Sequence, residues 1–105
     1  MLTSKERSYL RSLSNRLDTI FQIGKEGVHE ENIKEISCAL EVRELIKVSV
    51  LKNSLSDARE ACHEICEALG ADPVQVIGSK FVIYRKSKEK PKIELPKQRK
   101  RRDAE

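Results

Sequence analysis

Four consecutive residues, Gly24-Lys25-Glu26-Gly27, carry the clearest chemistry in the chain. A short apolar stretch precedes them and a helical pattern follows. Two glycines and a lysine therefore stand where a strand gives way to a helix N-terminus. The first turn of a helix has unpaired N–H groups and partial positive charge, and both attract phosphate. Glycine lets a polymer backbone approach closely. Lys25 adds a mobile cation, whereas Glu26 repels phosphate. Two glycines also make an ordinary turn, so the meaning of the loop rests on its surroundings.

Those surroundings are basic. At 100° per residue, Arg7 and Arg11 share one flank of the first helical stretch, and Lys5 and Arg16 share the other. Arg85 follows the last strand pattern. Near the end of the chain, Arg99-Lys100-Arg101-Arg102 forms a phosphate-seeking cluster. The formal net charge is +4, and it all falls after residue 86. Residues 1–86 balance acid against base, and residues 87–105 carry the excess. With Pro91 and Pro96 and almost no apolar content, residues 87–105 read as a disordered basic tail. A purely solubilising tail would have the same composition.

Other chemistries lack parts. The two histidines, His29 and His63, have no nucleophile facing them. His63 and Cys62 are adjacent, so on a helix they point about 100° apart. Cys62 and Cys66 are spaced i,i+4 and could share a metal, but no further ligand pair completes a set. They read as small apolar residues on a buried face. Gly24-Lys25 lacks the spacing of a phosphate-binding GxxxxGK[ST] loop. Neither catalysis nor a cofactor is expected. The cysteine count is odd, no apolar run is long enough for a bilayer, and the first residues lack a signal-peptide core. The expected location is the cytoplasm, without membrane association.

Periodicity places the elements that must hold these groups. Thr3 and Glu6 form a capping box for a first helix over about Ser4 to Asp18, with Leu10, Leu13 and Leu17 on one stripe. Thr19 to Ile23 reads as a strand, and His29 to Val42 as a second helix. Glu44 to Lys52 holds the strongest strand pattern. Ser54 or Ser56 is expected to cap a third helix, which Gly70 ends. Residues 74–77 and 81–84 flank Gly78-Ser79-Lys80 as a hairpin. The order αβαβαββ makes a single α/β domain, with three helices packed on a four-stranded mixed sheet.

The segments YLRSLSNRL (9–17), IGKEGV (23–28), AL (39–40), ELIKV (44–48), VQVIG (74–78), VIYR (82–85) and IELP (93–96) follow one another as in the YhbY-like, or CRM, domain. CRM stands for chloroplast RNA splicing and ribosome maturation. The chain resembles this family over about residues 2–96. The resemblance implies an RNA-binding fold similar to the C-terminal domain of bacterial translation initiation factor three. Charge and composition place the domain in residues 1–86 and the tail in residues 87–105. The resemblance also implies that the GxxG loop, here Gly24, Lys25, Glu26 and Gly27, contacts RNA. Arg7, Arg11, Arg85 and the cluster Arg99 to Arg102 are expected to add charge. Free-standing bacterial members resemble factors associated with precursors of the large ribosomal subunit. The expectation is thus a monomeric, non-catalytic RNA-binding protein of ribosome assembly. The alternative is a protein-interaction module with a solubilising tail. His29 stands where the family usually has Thr or Ser, which weakens the cap of the second helix.

Overall fold

Reciprocal hydrogen bonds open the chain. Thr3 Oγ1 accepts from the Glu6 N–H at 3.0 Å, and Glu6 Oε1 accepts from the Thr3 N–H at 2.9 Å. They start α1 (Ser4–Ser14) in a computed structural model that describes residues 2–88 together with Pro91, Ile93 and Leu95. The elements then run β1 (Thr19–Ile23), α2 (Glu30–Arg43), β2 (Leu45–Val50), α3 (Ala58–Leu69), β3 (Asp72–Ile77) and β4 (Lys80–Tyr84). The expected order αβαβαββ is the observed one.

Apart from shifts of one or two residues at the ends of α2, β2, β3 and β4, two features differ from the periodic reading. Helix α1 stops at Ser14 rather than Asp18. Ser14 Oγ bonds back to the Arg11 carbonyl at 2.8 Å, and Arg16 and Leu17 close tighter turns onto Leu13 and Ser14. Leu17 still packs with Leu10 and Leu13, so the apolar stripe runs on past the end of the helix. Helix α3 is capped by Asp57, not Ser54 or Ser56. Asp57 Oδ1 accepts from the Glu60 N–H at 2.8 Å, and Glu60 Oε1 accepts from the Asp57 N–H. Gly70 ends α3 in the left-handed region, as expected.

The sheet order is β1-β2-β4-β3. Strands β1 and β2 are parallel, while β4 runs antiparallel between β2 and β3. The sheet is therefore mixed, with β4 inserted where a simple crossover would have put β3 beside β2. Pro73 sits in β3, an edge strand, where its missing N–H costs no ladder bond.

Alternation along the strands supplies two cores. Ile46, Val48 and Val50 face Ile36 and Leu40 of α2 and Ala61, Cys62, Ile65 and Cys66 of α3, with Phe81 and Ile83. Leu45, Val82 and Tyr84 face Leu2 and Leu10 on the opposite side, under α1. Burying each large side chain contributes about 1.5–3 kcal/mol.

The packed chain extends past the expected boundary at residue 86. Ser87 is buried, and Ile93 and Leu95 pack on the α1-side core. Glu44 holds this segment. It caps α2 at φ 66°, is fully buried, and accepts from the Ser87 N–H at 2.7 Å and the Ile93 N–H at 2.6 Å. Arg99 to Arg102 lie outside the described residues.

Candidate nucleic-acid interface

Because β1 and β2 are parallel neighbours, their C-terminal ends share one edge of the sheet. The hairpin between β3 and β4 turns at the same edge, since Ser49 pairs with Lys80 at the start of β4. Three connections therefore meet: the Gly24–Gly27 loop, the segment from Leu51 to Ser56, and the turn at Gly78-Ser79. Backbone bonds tie them together. The Leu51 N–H donates to the Ile23 carbonyl at 3.0 Å, the Leu55 N–H to the Lys25 carbonyl at 3.0 Å, and the Val50 N–H to the Ser79 carbonyl at 2.7 Å.

The loop itself is a closed turn, with the Gly27 N–H donating to the Gly24 carbonyl at 3.1 Å. Lys25 and Glu26 occupy its exposed corners. The two glycines have different roles. Gly27 is buried at φ 84°, and a Cβ there would stand 3.2 Å from Ser56 Oγ. Gly27 is thus required by the fold. A Cβ on Gly24 would meet nothing within 4 Å, and its φ lies outside the left-handed range. The space over Gly24 is open to a ligand.

Helix α2 starts directly after this loop. Its N-cap is His29, whose N–H donates to Asn32 Oδ1 at 3.0 Å. Glu30 and Glu31 in its first turn offset part of the helix dipole. The start of α3 is closed by its own Asp57–Glu60 box, so of the two helix starts at this edge α2 has the weaker cap.

Topology adds residues that the motif did not indicate. Lys52 follows β2 and Lys80 opens β4, both exposed at the same edge as Lys25. Leu55, 82% exposed, sits against Gly27, and Ile77 beside the hairpin is 61% exposed. The edge therefore combines three lysines with apolar side chains, the mixture that suits phosphates and base faces. The available signal was position: Lys52 stands just after a strand, where α/β sheets place ligands.

The other sequence-selected cations lie elsewhere. Arg7 Nε donates to the Pro73 carbonyl at 3.2 Å, tying α1 to the start of β3, at the end of the sheet away from the loop. Arg11 is exposed one turn further along α1. The Arg85 guanidinium is held inside the fold, donating to the carbonyls of Ser37 at 2.9 Å and Leu69 at 3.2 Å, with Glu41 at 4.0 Å. It braces α2 against the end of α3.

The groups with shifted pKa belong to the cores. Cys62 and Cys66 share a thiol hydrogen bond that lowers Cys62, while that bond and burial raise Cys66. Burial and the nearby Glu44 push the Tyr84 phenol up. Among the described residues, no helix is long and apolar enough to cross a membrane.

Comparison with known proteins matches this architecture. The CRS1 / YhbY (CRM) domain model covers residues 2–85. "Probable RNA-binding protein YqeI" of Bacillus subtilis is 47% identical over 96 residues, which are 91% of this chain and 100% of that protein. An "RNA-binding protein" of Haemophilus influenzae is 34% identical over 91% of this chain and 96% of its own length. A solution structure of a hypothetical Staphylococcus aureus protein, described as a candidate RNA binder, has 52% identity and a TM-score of 0.69, covering 91% of this chain and all of that one. By sequence and by fold, the chain belongs to the CRS1/YhbY (CRM) domain family.

Proposed function

We propose that this protein binds RNA without catalysis, gripping its backbone at the edge formed by the Gly24–Gly27 loop, Lys52 and Lys80. The observation that carries the reading is the open surface above Gly24, at the same end of the sheet as three exposed lysines, in a chain whose relatives are named for RNA binding. The N-terminal N–H groups of α2 and Lys25 take phosphate oxygens, while Leu55 offers an apolar face to a base. Four aromatic residues in all, with Phe81 and Tyr84 buried, leave stacking a minor part. Recognition then rests on backbone and shape.

The target we infer is ribosomal RNA in a precursor of the large ribosomal subunit, met in the cytoplasm by a monomer. The expected arm Arg99 to Arg102 extends the contact to neighbouring phosphates. Ultraviolet crosslinking in cells, followed by sequencing of the bound RNA, tests the target. Crosslinks concentrated in large-subunit RNA are expected, and a spread over messenger RNA would overturn the ribosomal assignment. Salt-dependent retention of RNA by the purified chain tests binding itself. Salt-independent retention, or none, would favour a protein-interaction module.

A further inference from the structure

At the opposite end of β1 lies a second cationic feature. A cleft of about 350 Å³ opens between the turn after α1, the end of α2 and the start of β2. Arg16, Arg43 and Lys47 line it, with Asp18 as the one acid and Ile20 and Leu45 among its apolar walls. Among the described residues, none of the three cations has an ion-pair partner. Helix α2 ends here, so the backbone presents partial negative charge, and any attraction for an anion must come from these side chains. Glu44, next in sequence, turns its carboxylate to the N–H groups of Ser87 and Ile93.

Position links this cleft to the loop edge. Thr19 pairs with Lys47 at its mouth, and β1 runs from there to Gly24. Five strand residues cover about 17 Å. Along that path Gln22 pairs with Ser49 on the face turned away from α2 and α3. Helix α1 packs mainly on β2, β3 and β4, leaving the β1 side of this face uncovered, with Gln22 exposed.

We infer that the cleft is a second subsite for single-stranded RNA, continuous along β1 with the loop edge. Arg16, Arg43 and Lys47 bind phosphate there. Ile20 and Leu45 bound the space for an unstacked base, and Asp18 accepts from a base N–H, such as the N3–H of uracil. The inference rests on the RNA-binding reading above and fixes the course of the strand across the protein.

The test uses the full chain and an oligouridylate of about 12 nucleotides carrying 4-thiouridine, within the site sizes of single-strand binders. Crosslinking and peptide mass spectrometry are expected to place adducts both at residues 16–20 or 43–47 and in the loop. Adducts confined to the loop would overturn the subsite. In parallel, Arg16→Gln with Arg43→Gln is expected to lower affinity about tenfold and to reduce the salt slope by ~1.4, as for two lost phosphate contacts. Lys5→Gln with Arg59→Gln, an equal change in charge toward the β3 side of the sheet, is expected to cost less than about threefold. Equal losses in the two pairs would also overturn the subsite. If the unaltered chain retains no RNA, the parent reading falls and the subsite with it. If RNA is retained but the cleft pair binds normally, only the subsite falls.

Discussion

Gly24 and Gly27 are the same residue type in one turn, yet the structure asks different things of them. Gly27→Ala places a side chain at φ 84° against Ser56, so a loss of about 1–2 kcal/mol in urea denaturation is expected. Gly24→Ala meets open space, so its stability should stay within about 0.5 kcal/mol of the unaltered protein. Its RNA affinity should nevertheless fall, because the methyl group occupies the approach to the backbone. Normal RNA binding by a folded Gly24→Ala protein would remove that surface from the site. Lys25→Ala should weaken binding across RNA sequences and lower the salt slope by ~0.7, measured by titration at several salt concentrations. His29→Ser supplies the side-chain acceptor that fits the start of α2, and a gain of about 0.5–1 kcal/mol is expected from denaturant midpoints.

Elements show what was legible and what was not. Periodicity read every helix and strand, because each buries a continuous stripe or alternating face in one of the two cores. It could not place β4 between β2 and β3, since that order follows from pairing across long stretches of chain. Lys52 and Lys80 were not legible as neighbours of the loop for the same reason: only the sheet brings them to the same end as Lys25. The GxxG turn was visible because local residue types set it. Contacts cross the expected boundary at 86 through a buried group, Glu44, whose hydrogen bonds join the end of α2 to residues 87 and 93. Glu44→Ala removes the acceptor for two N–H groups, so a loss of about 1–3 kcal/mol is expected in thermal or urea unfolding.

At the scale of the molecule, charge and packing separate along the last part of the chain. Ending the chain after residue 96 removes the basic cluster but keeps Ile93 and Leu95 on the α1-side core. Stability should hold while RNA affinity falls and the salt slope shrinks. Ending it after residue 86 also takes away Ser87, Ile93 and Leu95, so the melting temperature should drop as well. A comparison of the two truncations by calorimetry checks this, and equal melting temperatures would contradict the packing of Ser87, Ile93 and Leu95.

The α1-side core gathers Leu2, Leu10, Ile93 and Leu95, so the two ends of the described chain meet under one roof. During synthesis, β1, α2, β2 and α3 emerge with the partners of their own core close behind, whereas this second face cannot close until residue 95 has left the ribosome. Its contacts span nearly the whole sequence and carry a high closure entropy. The same proximity makes the fold a candidate for circular permutation. In a chain ended after residue 96, a short linker could join that end to Leu2, with new termini opened at an exposed turn such as Gly78-Ser79, and the order of synthesis would change while the packing of both faces is kept.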